Sequence, residues 1–206
     1  MSLWAIEQDL LKQGYEIICG VDEAGRGPLA GDVFAAAVVL PFETDIPGLD
    51  DSKKLTETKR IRLYDEIIAK ASAYSIATAS SVEIDEINIL QATYLAMNRA
   101  IEGISAQMDG EAPDISMIDG NRNDGIKYKN ICVVRGDSKS ASIAAASILA
   151  KVSRDRYMIE MSMKYPQYSF EKHKGYGTKL HYEKLREHGP SEIHRKTFLK
   201  KAGSNI

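Results

Sequence analysis

The sequence predicts a mixed α/β fold, a sheet flanked by helices, from three observations. Two apolar β-like runs, residues 15–21 and 33–40, are joined by a short glycine-rich loop, a spacing that favours an antiparallel pair. A third, alternating strand follows, after which short strands and long amphipathic segments take turns. With 206 residues, 44% of them hydrophobic, the chain can bury one full core, so a single domain over residues 1–206 is expected.

The elements follow in order. Tyr15-Glu16-Ile17-Ile18-Cys19-Gly20-Val21 reads as a buried strand, and Val33 to Leu40 as its antiparallel partner. After Pro41, Pro47 and Gly48, the spacing of Ile61, Leu63, Ile67 and Ile68 predicts a helix over Thr56 to Ala71. Alternation from Tyr74 to Ser80 gives the third strand. Ile84, Ile87, Leu90, Tyr94, Leu95 and Ile101 form an apolar stripe, which predicts one long helix from Val82 to Ile104. Asp114 to Ile118 and Asn130 to Val134 are short strands that end at turns carrying Asp119-Gly120 and Gly136-Asp137. Ala141 to Met163 reads as a helix opened by Ser138-Lys139-Ser140, and its alanines allow close packing on the sheet. Beyond Pro166 the pattern is irregular, with a short helix from Thr178 to Glu187 stopped by Gly189-Pro190.

Composition narrows the functional classes. Met1 to Gln13 carries Glu7, Asp9 and Lys12 among its apolar residues, so no signal-peptide core is expected there, and no run is long enough to span a bilayer. A cytoplasmic protein is the resulting expectation. Cys19 and Cys132 each sit in a β-like run and match no zinc or disulfide spacing, so both read as buried small hydrophobes. The net charge of −2 conceals an asymmetry: residues 150–206 hold 13 Lys or Arg against 6 Asp or Glu, and the rest is acidic. A basic end suits a polyanion and an acidic body concentrates cations, although on charge alone a solvated helical surface is the better account.

Asp22-Glu23-Ala24-Gly25-Arg26-Gly27 places two carboxylates at the end of the first strand, beside a turn whose glycines let a phosphate or sugar approach the backbone. Adjacent buried acids need a compensating cation, and hard oxygen donors beside an anion cradle point to Mg²⁺ or Mn²⁺ with a phosphoryl substrate. Asp119 and Asp137 lie at two further strand ends, so four oxygen donors can converge on one sheet edge. Because neighbouring strand residues point to opposite faces, Asp22 and Glu23 converge only if the strand bends at Glu23. Singly, each acid has another reading: Asp119 and Asp137 as turn or cap residues, Asp22-Glu23 as an ion pair with Arg26. The four histidines, His173, His181, His188 and His194, fit no metal motif and are expected at phosphate or surface contacts.

The string Gly-Val-Asp22-Glu23-Ala-Gly25-Arg26-Gly27-Pro-Leu-Ala-Gly, with Asp51-Ser52-Lys53-Lys54-Leu55, Ile118-Asp119-Gly120, Gly136-Asp137-Ser138, Ile143 to Asp155 and Lys174-Gly175-Tyr176-Gly177-Thr178, closely resembles bacterial ribonuclease HII. The matches run in order over nearly the whole chain, and Gly25-Arg26-Gly27 separates this pattern from ribonuclease HIII. The resemblance implies a ribonuclease H-like five-stranded sheet, three antiparallel strands then parallel ones, with residues 166–206 as a basic C-terminal helical appendage for substrate. It implies endonucleolytic cleavage of RNA in RNA/DNA hybrids and on the 5′ side of single ribonucleotides in duplex DNA, leaving 3′-OH and 5′-phosphate ends. Asp22, Glu23, Asp119 and Asp137 would bind the Mn²⁺ or Mg²⁺ ions. Gly25, Arg26 and Gly27 would read the ribose 2′-OH, Tyr176 would stack on the adjacent sugar, and Lys54 and Ser138 would contact phosphates.

Three further expectations complete the reading. Asp155 matches the family pattern but reads equally as a helix-surface partner of Lys151. Asp32 stands where the family usually has proline, and it is expected to face solvent. The tail from Lys200 to Ile206 offers no clear clamp-binding motif, and a monomer is expected. Two other readings remain: a non-catalytic hybrid-binding module using the basic end and glycine loop, and another nuclease or resolvase of the same fold.

Overall fold

The computed structural model describes residues 2–202, with side chains through Lys200; most of the tail considered for clamp docking lies outside them. Helix α1 (Ala5–Lys12) precedes strands β1 (Ile18–Ala24) and β2 (Val33–Val39), helix α2 (Glu57–Lys70), strand β3 (Ala73–Ala79) and helix α3 (Ser81–Ser105). Strands β4 (Ile115–Asp119) and β5 (Asn130–Val133) lead into the long helix α4 (Ala141–Lys164). Short helices α5 (Phe170–His173), α6 (Lys179–His188) and α7 (Lys196–Ala202) complete the chain.

The five strands form one sheet in the order β3-β2-β1-β4-β5. β1 pairs antiparallel with β2, and β2 with β3, while β1–β4 and β4–β5 are parallel. This is the expected mixed topology, and it sets β1 at the centre with its C-terminal end beside that of β4. Alternation along β1 then divides its side chains between two layers. Cys19 and Val21 join Val33, Ala35 and Ala37 beneath α3, whereas Ala36 and Val38 face Ala145, Ala146 and Leu149 of α4.

The approach of α4 depends on Gly20. A Cβ there would stand under 3.0 Å from the backbone of Ser142 and Ile143, so only glycine lets helix and strand backbones come together. Ser140 caps α4 by accepting from the Ile143 N–H, and the buried Glu7 of α1 accepts from the Ser140 hydroxyl and the Ser142 N–H. α1 therefore locks the start of α4, four residues after Asp137. Glu7 sits in that buried position with its carboxyl raised above the ordinary range by desolvation.

Where one helix was expected over Val82–Ile104, the chain bends at Asn88, which adopts φ 67 and ψ 163. Its side chain accepts from the Leu90 and Gln91 N–H groups and so caps a second helical segment, an asparagine role the apolar stripe does not reveal. Cys19 and Cys132 are both free thiols, on β1 and β5, which β4 separates. Among the described residues, no helix is long and apolar enough to cross a membrane.

Candidate active site

Three of the predicted acids meet at the C-terminal edge of the sheet. Asp22 comes from β1, Asp119 from the last residue of β4, and Asp137 from a 3-10 turn over Gly136–Ser138. One carboxylate oxygen from each lies within 4.8 Å of the other two. Asp22 and Asp137 are 4% and 5% exposed, so neither charge is dissipated by water. The turn is held in place from below: Arg135 takes φ 56, and the Gly136 N–H donates to Asp119 Oδ1 at 2.6 Å.

The electrostatics follow from this crowding. Burial, then the charges of Glu23 and Asp119, raise the Asp22 carboxyl well above the ordinary carboxylate range. Burial also raises Asp119, against the hydrogen bond from Gly136. Lys53 Nζ donates to Asp137 Oδ2 at 3.0 Å from a side chain that is 76% exposed. Burial works against the Lys53 ammonium, but Asp137 and Asp22 together raise its affinity for the proton. Three carboxylate donors and one exchangeable ammonium fit a hard divalent cation, which Asp22, Asp119 and Asp137 could hold.

Glu23 departs from the expected convergence. β1 stays extended through Ala24, so Asp22 shares the α4 side of the sheet with Gly20, while Glu23 turns toward α3. There it accepts from Arg26 Nη1 at 3.3 Å. With Asp119, Arg122 and Tyr94 it lines a cavity of about 230 Å³ beside the acid cluster. Burial raises the Glu23 carboxyl, Arg26 opposes this, and the charge of Asp119 is felt there too; Glu23 also lines the cavity that holds Asp22, so it borders the acid cluster although it stands outside the group of three.

On the α4 side, Asp22, Gly25, Ser52, Lys53, Lys151 and Tyr176 line a second cavity of about 170 Å³. Gly25 takes φ +99, which a side chain would strain, and Gly27 lies beside Tyr176, where an added Cβ would make an ordinary contact with the ring at 3.9 Å. Tyr176 is 44% exposed, a large aromatic left facing the cavity. Thus Gly25 and Tyr176, distant in sequence, line one cavity with Asp22, and Gly27 stands beside the Tyr176 ring.

A family model described as ribonuclease HII matches residues 19–201. The chain belongs to the ribonuclease HII family. It is 57% identical to a ribonuclease HII from Caldicellulosiruptor bescii over 97% of this chain and 94% of that one. Among solved structures, ribonuclease H2 from Pyrococcus horikoshii OT3 superposes with a TM-score of 0.69 at 28% identity, covering 87% of this chain and 92% of that one. A Bst-RNase HIII in complex with Mn²⁺ gives 0.68 at 18% identity over 91% and 67% of the two chains, a likeness of fold. Membership makes the protein a nuclease hydrolase, a divalent-metal-dependent ribonuclease that acts on RNA/DNA hybrids.

Ribonuclease HII motifs also locate residues that lie elsewhere. Lys54 pairs with Asp50 at 3.0 Å on an exposed loop, and its neighbour Lys53 reaches the acids instead. Ser138 is exposed beside Asp137, its hydroxyl donating to the Arg135 carbonyl, and Lys139 donates to the Val134 carbonyl. Asp155 takes its ion-pair reading, 2.7 Å from Lys151. Asp32 does not face solvent: it is half-buried, and its carboxylate accepts from the Ser81 N–H at the start of α3. The histidines are corrected as well. His173, His181 and His194 are buried and packed with Tyr168 and Phe170, leaving His188 alone at the surface. Their weak helical spacing hid them, since the irregular segment beyond Pro166 gives no period to read.

Proposed function

We propose that this protein cuts the RNA strand of RNA/DNA hybrids and cuts 5′ of single ribonucleotides in duplex DNA, by a two-metal mechanism that leaves 3′-OH and 5′-phosphate ends. The observation that carries the reading is the meeting of Asp22, Asp119 and Asp137 within 4.8 Å, with Asp22 lining a cavity shared with Gly25 and Tyr176. Asp22 would hold both Mg²⁺ or Mn²⁺ ions, with Asp119 and Glu23 completing their shells and Asp137 helping to bind the ion beside the attacking water. When bound, such ions lower the pKa of water and stabilise the leaving oxygen.

The protein's own groups supply the rest. Gly25, Arg26 and Gly27 present backbone to the sugar, and the 2′-hydroxyl is what distinguishes ribose at a given position. Tyr176 offers an exposed ring for the adjacent sugar. Lys53 is poised to leave Asp137 for a phosphate oxygen, with Lys54 and Ser138 placed further along the strand's path. The arrangement belongs to a single domain in which residues 166–206 add a basic substrate surface, working as a cytoplasmic monomer.

The test is cleavage of three duplexes, with and without Mg²⁺ or Mn²⁺: an RNA/DNA hybrid, a DNA duplex with one ribonucleotide, and an all-DNA duplex. Metal-dependent cutting of the first two, with a single product end 5′ of the lone ribonucleotide, is expected. Cutting of the all-DNA duplex or of a four-way junction at a comparable rate would transfer the protein to the resolvase reading.

A further inference from the structure

Two arginines are buried behind the glycine loop, and among the described residues neither has a carboxylate within ion-pair distance. Arg195 is 0% exposed and Arg154 1%. Arg195 donates from Nε to the Gly31 carbonyl at 2.8 Å, from Nη1 to Arg26 at 3.0 Å and Pro28 at 2.8 Å, and from Nη2 to Gly25 at 2.6 Å. One planar guanidinium thus gathers four carbonyls of a seven-residue segment, a geometry its rigid fork allows and an ammonium cannot copy. Arg154 donates to the carbonyls of Ala30, Asp32 and Lys174, which ties the same segment to the loop that carries Tyr176.

Peptide planarity gives this brace a consequence on the opposite surface. Each peptide here is trans, so a carbonyl turned toward Arg195 puts the N–H of the next residue on the far side. The carbonyls of Gly25 and Arg26 point inward, and the N–H groups of Arg26 and Gly27 therefore point out. Among the described residues, neither of these N–H groups has a hydrogen-bond partner. They stand next to the Tyr176 ring as two adjacent, unused donors, a pattern that suits a single oxygen.

We infer that Arg195, with Arg154 beside it, is the positioning residue for ribose recognition, fixing the Arg26 and Gly27 N–H groups as a preformed pair of donors for the 2′-hydroxyl oxygen. The inference rests on the proposed reading of the Gly25–Gly27 loop. It adds that discrimination depends on a residue that never touches the nucleic acid, through carbonyls rather than charge.

The experiment is fluorescence anisotropy with Ca²⁺ in place of Mg²⁺, electrophoresis confirming uncut duplex, on an all-DNA duplex and the same duplex with one ribonucleotide. The variants are Arg195→Lys and Arg154→Lys, which keep the positive charge and lose the fork. Arg195→Lys is expected to reduce the preference for the ribonucleotide duplex by about tenfold, the worth of one hydrogen bond, and to leave all-DNA affinity unchanged. Equal weakening on both duplexes would overturn the inference, because a purely structural or phosphate-holding role moves both together. A wild-type protein with no preference would instead overturn the loop reading itself. Should neither variant fold, wild-type amide exchange decides: the Arg26 and Gly27 amides must exchange fast in the free protein and be protected by the ribonucleotide duplex more than by DNA. Equal protection refutes the assignment.

Discussion

Asp22→Asn tests the electrostatic core of the site, because it removes one charge and leaves the shape. Asp22 is 4% exposed and has an oxygen within 4.8 Å of oxygens on both Asp119 and Asp137. Two unit charges at that distance repel by about 3 kcal/mol at an effective dielectric of about 20. Lys53, paired with Asp137, offsets part of this. A net gain of about 2 kcal/mol is left for the metal-free variant, a rise in Tm of roughly 4–8 °C for a chain of this size. The sign with pH is fixed. A carboxyl whose native pKa is raised stabilises fully below its ordinary value and loses that contribution as pH rises, so the variant's advantage must be larger at pH 8 than at pH 5. Thermal melts in EDTA and in excess Mg²⁺ measure both effects, and the metal-induced shift should shrink in the variant as cleavage is lost. A variant that melts at or below wild type in EDTA, or keeps the full metal shift, refutes this account of the cluster.

Gly20→Ala should cost about 1–3 kcal/mol by overpacking, since the new Cβ meets backbone atoms of Ser142 and Ile143 that cannot rotate away; an unchanged urea midpoint would contradict the close approach of β1 and α4. Burial holds His181 down to about 4 and His194 down to about 3, so their contribution to stability is complete above pH 6.5 and is lost as pH falls below it toward those values. An NMR titration that finds either imidazole protonating near 6.5 would show that the cluster is open to water. Asp32→Asn removes a charged acceptor from the Ser81 N–H and a negative charge felt by both buried arginines, and a loss of about 1–2 kcal/mol in thermal or urea unfolding is expected. Restoring proline at the same position should not tighten hybrid binding, because Asp32 points at α3 and not at the cavity of Gly25 and Tyr176.

The strands and the four main helices were legible because burial imposes a period on each. Asp22, Asp119 and Asp137 were legible too, since they lie at or near the ends of strands that a mixed sheet sets side by side. Glu23 shows the limit: alternation directs it away from Asp22, β1 runs on through Ala24 without a bend, and yet its side chain borders the Asp22 cavity as well as the one beside Arg26. Lys53 and Lys54 differ by one place in a loop without periodicity, so the sequence could not tell which reaches Asp137. Arg154 and Arg195 read as surface charge in a basic segment. Their burial depends on carbonyls more than 100 residues away, which no local pattern encodes.

The distribution of cations explains why so costly a cluster of acids is useful. A carboxylate locked to a buried arginine would offer no oxygen to a metal, and removing that partner would strand a charge. The fixed guanidiniums of this protein are spent instead on neutral carbonyls, at the expense that burial, reinforced by the neighbouring Arg154, pulls Arg195 down to about 9. The cations that do touch the acids are Lys53 on Asp137 and Arg26 on Glu23, with side chains 76% and 49% exposed. In each pair the cation is the exposed partner and the acid the sheltered one, so the cation can leave without being stripped of water. Under the proposed function both would turn to a phosphate once metal occupied the site, while the buried pair would hold the loop still. If that division is right, raising salt should weaken the Lys53 and Arg26 contacts and substrate affinity but leave the preference for ribose intact.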